Sequence, residues 1–243
     1  MPPGVLVALD VDSRAAALTL AQRLDPAHCG VKVGLELFTS AGSEVVYALG
    51  ELGFSIFLDL KLHDIPRTVA RACRSIARLP VSMMTVHTLG GRAMVEAARD
   101  ALDGHAHPPQ LLAVTALTSL DDRELSALGL GLPPFASLVV QLGTVARQWG
   151  ADGLVCATGD APLVRAELAD RGGAGTLVTP GIRLAAPAVP PAGDDQRRVG
   201  TPEAAAEAGV DFIVVGRAVT EATDPVATLE VVRARLARAR PAE

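Results

Sequence analysis

Short apolar runs alternate with stretches of helical period along the whole chain, and that rhythm predicts eight strand–helix units. Strands are expected at 5–10, 30–34, 55–61, 81–87, 111–118, 153–157, 176–180 and 211–217, most of them near-continuous Val, Leu, Ile and Ala. Such runs suit parallel strands buried on both faces. Between them the spacing predicts helices over 15–24, 35–52, 65–78, 91–102, 135–149, 161–170 and 225–238. Shorter ones open at Asp121-Asp122 and at Thr201-Pro202-Glu203. Asp12-Ser13 and Thr201 offer side-chain caps, Pro66 and Pro202 suit a first helical turn, and Gly53 suits a helix stop. Residues 184–200 break the rhythm with Pro187, Pro190, Pro191, Gly193 and Asp194-Asp195, and are expected to form a long surface loop.

No linker or shift of composition divides these repeats, so a single (β/α)8 TIM-barrel domain over 1–243 is expected, with a doubly wound open sheet as the alternative. Barrel chemistry collects at the carboxyl ends of the strands. Asp10, Lys32, Asp59, Lys61, Thr118, Arg183 and Gly216-Arg217 fall mostly at such ends. The densest stretch runs from Ser55 to Pro66, where alternation puts Asp59 and Lys61 on one face and Asp64 comes within a turn of them. An ordinary strand-end salt bridge is the plain reading. Three ionisable groups at one junction favour a functional one, because desolvating several charges for structure alone is costly.

The length of 243 residues suits one barrel of about 250. Apolar residues make up 49% and aromatic ones only 3%, so the core must be aliphatic. A formal charge of -5 argues against a nucleic-acid partner, which calls for a concentrated basic surface, and any anionic ligand must be held by local groups. Cys29, Cys73 and Cys156 are scattered and odd in number, against a disulfide framework. No segment has the pattern of a signal peptide or a bilayer span, so a cytoplasmic protein with no membrane partner is expected.

The charged residues sort into two subsites. Asp10, Lys32, Asp59 and Lys61 lie on three neighbouring strands and can converge on one pocket with Asp64 at its rim. Opposite charges there hold one another ionised, each pair being worth about 4 kcal/mol at 4 Å and an effective dielectric near 20. A protonated lysine in that setting is a good proton donor to a carbanion and a poor Schiff-base nucleophile. The second subsite suits a phosphate: Gly216-Arg217 comes after the eighth strand, Arg183 lies beneath the long loop, and Gln196-Arg197-Arg198 lies near its far end. Such a loop can close over a ligand; a surface arginine and a tolerated insertion are the alternative. His63 and His87 stand near strand ends without metal-binding spacing, so structural hydrogen bonding is favoured over ligation and no metal site is expected. Cys73, Tyr47 and Trp149 are expected to pack, Met83-Met84 to sit in the barrel core, and Asp121-Asp122 to cap a helix.

Six motifs occur in order: Val7-Ala8-Leu9-Asp10, Val31-Lys32-Val33-Gly34, Asp59-Leu60-Lys61-Leu62-His63-Asp64-Ile65-Pro66, Val114-Thr115-Ala116-Leu117-Thr118-Ser119, Pro180-Gly181-Ile182-Arg183 and Val215-Gly216-Arg217. Over the length of the chain they resemble the orotidine 5′-phosphate decarboxylase family of the common bacterial type. The third motif is specific for the wider superfamily, and all six in sequence for the decarboxylases. Residue 67, commonly Asn in that family, is Arg67 here, while Thr68 is retained.

The resemblance implies cofactor-free decarboxylation of orotidine 5′-monophosphate to UMP, the last step of pyrimidine nucleotide synthesis. It implies that Lys61 protonates C6, that Asp59 sits against the substrate carboxylate, and that Lys32 and Asp64 complete a charged tetrad. Asp64, Ile65 and Thr68 would reach across a homodimer interface. Asp10 and Lys32 would bind ribose hydroxyls, Thr118 the base, and Arg183, Gln196, Gly216 and Arg217 the phosphate. Two rivals share parts of the pattern: Mg²⁺-dependent sugar-phosphate lyases or isomerases of the same superfamily, and a non-catalytic nucleotide-binding barrel.

Overall fold

Strands rich in Val, Leu and Ile bury both faces when they close on themselves inside a ring of helices, and this chain takes that course. The computed structural model describes residues 4–127, 129, 131–184 and 198–239. Its strands are β1 (Val5–Ala8), β2 (Gly30–Gly34), β3 (Ile56–Leu62), β4 (Met83–His87), β5 (Gln110–Val114), β6 (Gly153–Val155), β7 (Thr176–Thr179) and β8 (Phe212–Val215). Each pairs in parallel with its sequence neighbour, and β8 pairs with β1, so the sheet is a closed barrel rather than an open one.

Alternation along the strands sorts the core into two layers. Inward residues such as Leu6, Phe57, Met83, Leu112, Val178 and Phe212 form one cluster. Outward residues such as Val5, Val31, Ile56, Met84 and Leu177 pack against the helices in a second, larger one. Every strand except β2 contributes to the inner cluster. The inward position that β2 would supply, between Val31 and Val33, is Lys32.

The helices are α1 (Arg14–Ala21), α2 (Leu35–Ala41), α3 (Glu44–Glu51), α4 (Pro66–Ile76), α5 (Arg92–Leu102), α6 (Asp122–Ala127), α7 (Phe135–Gln148), α8 (Ala161–Leu168), α9 (Pro202–Glu207), α10 (Arg217–Thr220) and α11 (Pro225–Ala239). Ser13, Asp121 and Thr201 accept the N–H groups of Ala16, Glu124 and Ala204, capping α1, α6 and α9. The helix expected over 35–52 is two helices. Gly42 sits at φ 61°, in the left-handed region that stops a helix, and its N–H closes on the carbonyl of Phe38 at 2.8 Å. Tyr47, expected to pack, is 45% exposed on α3, whereas Trp149 packs against the outer core. All three cysteines are buried, and burial pushes each thiol up to about 12, which suits packing residues. No described helix is long and apolar enough to cross a membrane.

Most of the loop expected at 184–200 lies outside the described residues. Its neck is closed, with Arg183 N–H donating to the Gly200 carbonyl at 2.8 Å and Gly200 N–H to that of Gly181 at 3.1 Å. A Cβ at Gly200 would overlap the Thr158 side chain, so the neck requires glycine there.

At the rim opposite the strand carboxyl ends, one device occurs twice. Asp152, just before β6, accepts Leu111 N–H at 2.7 Å and returns its own N–H to the Leu111 carbonyl, while Arg99 of α5 holds the same carboxylate at 2.8 Å. Asp211, just before β8, does the same with Leu177 and with Arg165 of α8 at 2.7 Å. Each clamp ties a helix to two strands. Asp152→Ala and Asp211→Ala should each lower stability by about 1 kcal/mol, the carboxylates being partly solvated. The double variant should be additive to about 0.5 kcal/mol, read from urea midpoints at unchanged m. Strong non-additivity would mean that the clamps are not independent.

Candidate active site

At the carboxyl end of the barrel the inward positions turn from apolar to charged, and the register of β3 changes with them. Leu58 pairs with Met84 and Leu62 with Val86, so a four-residue step on β3 faces a two-residue step on β4. The surplus forms a bulge containing Asp59, Leu60 and Lys61. Lys61 has φ 49°, a left-handed conformation adopted by no other non-glycine among the described residues. Bulges and sparsely populated backbone conformations concentrate at functional sites. Simple alternation predicts that Asp59 and Lys61 share a face. They do meet, but through this irregularity and not through a regular strand.

Lys61 Nζ lies 2.7 Å from Asp59 Oδ2. Asp59 Oδ1 accepts the Thr85 hydroxyl at 3.0 Å, and that hydroxyl in turn accepts Lys61 N–H at 2.8 Å. On the other side, Lys32 Nζ lies 2.8 Å from Asp10 Oδ1. A Cβ at Gly34 would stand 3.0 Å from the Lys32 ammonium and 3.5 Å from Asp10 Oδ1, so any larger residue would crowd this pair.

Asp10, Lys32, Asp59 and Lys61 share one cavity of about 360 Å³, within the range of small-molecule sites. Its apolar lining includes Ala8, Phe57, Val155 and Val214; Pro180, Gly181 and Arg183 come from beyond β7, and Gly216 and Arg217 from beyond β8. Lys32, Lys61, Arg183 and Arg217 set four cations against the carboxylates of Asp10 and Asp59. On a chain of formal charge -5, this is a locally cationic pocket suited to an anion.

Eight of the expected site residues therefore line one cavity: Asp10, Lys32, Asp59, Lys61, Thr118, Arg183, Gly216 and Arg217. Asp64, Ile65 and Thr68 are not among its lining residues. They are exposed at the β3–α4 junction, where Asp64 Oδ1 accepts Ile65 N–H at 2.6 Å and Ile65 is 66% exposed. Gln196 and Arg197 lie outside the described residues. Arg198, expected near the phosphate loop's far end, turns elsewhere. It pairs with Asp160, donates to the Leu117 carbonyl at 3.4 Å and stacks 3.9 Å above the Phe135 ring. A largely buried carboxylate and an aromatic face together outcompete the cavity for its guanidinium.

Two contributors went unforeseen. Gly34 was visible only as part of a motif. Thr85 had a signal, since it is an inward polar residue between Met83 and His87 on a fully buried strand.

His87 is buried, its Nδ1 accepts Leu89 N–H at 3.3 Å, and its ring stacks on His63 at 5.4 Å between centroids. The expected structural role thus holds for His87. Among the described residues no group of three or more His, Cys, Asp or Glu is placed to hold a metal ion.

Residues 3–232 match the family described as Orotidine 5′-phosphate decarboxylase / HUMPS. Two proteins named orotidine 5′-phosphate decarboxylase, from Chromobacterium violaceum and Laribacter hongkongensis, are each 49% identical to this chain. The matches cover 94% and 96% of this chain and 89% and 93% of theirs. The crystal structure of orotidine 5′-phosphate decarboxylase from Lactobacillus acidophilus aligns with a TM-score of 0.81 at 37% identity, covering 97% of this chain and 99% of that one.

Burial, aided by the nearby His63 and Lys61 charges, pushes His87 down from 6.5 to about 4. The unfolded chain therefore binds the proton first, and the stability that neutral His87 contributes is present above about pH 6.5 and is lost as pH falls toward 4. In an NMR titration of labelled histidines the His87 ring should stay neutral down to about pH 5. A midpoint near 6.5 in the folded protein would contradict the assignment.

Proposed function

The chain belongs to the Orotidine 5′-phosphate decarboxylase / HUMPS family, and we propose that it converts orotidine 5′-monophosphate to UMP and CO₂, the closing step of pyrimidine nucleotide synthesis, without a cofactor. The observation that carries this reading is the Lys61–Asp59 pair, held on a bulge inside a cavity whose wall bears Arg183 and Arg217. The substrate has a phosphate at one end and a carboxylate at the other. Two groups of charge in one cavity of nucleotide size suit such a molecule.

When the C6–carboxylate bond breaks, its electron pair stays on C6, in the plane of the pyrimidine and with no adjacent sink. The charge already fixed around that atom must therefore supply most of the barrier reduction. Lys61 donates a proton to C6 as CO₂ departs. Asp59 stands beside the reactant carboxylate, and the repulsion between them vanishes with CO₂. Lys32 and Asp64 complete the charged network. Asp10 and Lys32 take the ribose hydroxyls and Thr118 the base. Arg183, Gln196, Gly216 and Arg217 hold the phosphate, and this remote binding helps offset the repulsion at the reacting end.

We further read the working form as a homodimer. Ile65 at 66% and Leu89 at 51% exposure are large apolar side chains near the site, on segments that the His63–His87 stack brings together. A second subunit would cover them and receive Asp64, Ile65 and Thr68 at its own cavity, which fits their position outside the cavity of their own chain.

Purified protein should consume orotidylate, followed by absorbance, at the same rate with and without excess EDTA, and Lys61→Ala should lower kcat by about 10²- to 10⁴-fold. Chelator-sensitive turnover of a ketose phosphate would point instead to the metal-dependent lyases. Sharing of the site is tested by mixing. Inactive Lys61→Ala and Asp64→Ala proteins, exchanged into hybrid dimers, should recover about a quarter of wild-type activity, because half of the dimers regain one intact site. No recovery would place Asp64 in its own subunit's chemistry.

A further inference from the structure

We infer that Thr85 is a positioning residue for the decarboxylation, setting at once the backbone of Lys61 and the plane of the Asp59 carboxylate; this rests on the function proposed above. Thr85 is 1% exposed, on an inward position of β4 opposite the bulge. The ladder between β3 and β4 is interrupted between Leu58 and Leu62, so the Lys61 N–H, inside that interval, has no regular partner on β4. The Thr85 hydroxyl receives it instead, at 2.8 Å.

A threonine hydroxyl has one proton. With its oxygen accepting from Lys61, that proton goes to Asp59 Oδ1 at 3.0 Å, leaving Oδ2 to face the Lys61 ammonium at 2.7 Å. Branching at Cβ restricts χ1, so the direction of this relay is fixed by the strand. The consequence is specific to the reacting state. A substrate carboxylate beside Asp59 pushes on it, and a carboxylate free to swing would relieve that repulsion and draw Lys61 aside. The bond from Thr85 resists the swing. UMP has no carboxylate to push, so its binding should depend little on Thr85.

The test compares Thr85→Val, which keeps the shape and removes the hydroxyl, with Thr85→Ser, which keeps the hydroxyl. Thr85→Val should lose about 10- to 100-fold in kcat, the equivalent of one hydrogen bond to a charged group, with affinity for UMP changed less than about threefold. Thr85→Ser should retain kcat to about threefold. Thermal melting identifies any variant that is merely misfolded, and Thr85→Ala replaces the valine variant if that one does not fold. An unchanged kcat in Thr85→Val, a parallel loss of UMP affinity, or no rescue by serine overturns the inference while leaving the decarboxylase reading intact. A wild-type protein without orotidylate turnover overturns both.

Discussion

An aliphatic barrel tolerates ammonium and carboxylate groups at its mouth only when each has a partner, since the desolvation of an unpaired charge exceeds what the surrounding packing returns. This chain meets the constraint by joining one dry group to one wetter group in each pair. The Lys32 side chain is 11% exposed and Asp10 is 59%; Asp59 is 12% exposed and Lys61 is 33%. The buried members, Lys32 and Asp59, anchor the pairs to adjacent strands. The open members reach into the cavity where a ligand must enter. The attraction within the pairs is therefore unequal, because water around Asp10 screens the first more than it screens the second.

That arrangement depends on register. Had β3 run past β4 without its surplus residues, the side chains after Leu58 would have kept to strict alternation. The bulge ends the regular strand just where Asp59 faces Gly34 across the β2–β3 pairing. The missing side chain at Gly34 leaves room for the Lys32 ammonium. A similar close fit governs the far side. Gly200 fits against Thr158 at the neck that presents Arg183, and Arg198 ties the return of that segment to Asp160. The rigid clamps at Asp152 and Asp211 lie at the opposite rim, so the irregular backbone at the mouth rests on a barrel closed from below.

Much of this was legible in the residues, and the parts that were not share a cause. Periodicity gave the eight strands because fully buried aliphatic runs admit few other arrangements. It also put eight of the expected residues where strand ends line one cavity, because the end of a parallel strand in a barrel is a defined place. It could not show the bulge, since a surplus residue on one strand is a property of two strands paired together. Thr85 was missed for the same reason: its bonds to Lys61 and Asp59 exist only across that pairing. Gly42 was passed over because the apolar spacing continues through it, although its left-handed φ divides the helix. Arg198 was placed with its sequence neighbours, but its partners Asp160, Phe135 and Leu117 are distant in the chain.

The carboxylate of Asp59 bears most directly on what the cavity is for. A pocket that only stored a phosphorylated ligand would gain from Arg183, Arg217 and Lys32, and nothing from an acid held rigidly among them. A like charge beside an anionic ligand weakens its binding. Asp59 is nonetheless buried and fixed by both oxygens, one to Thr85 and one to Lys61, despite its desolvation. Such a group makes sense where the bound reactant is to be less favoured than its product. In the function proposed above, loss of a carboxylate would remove that repulsion, and the adjacent ammonium would meet the new charge.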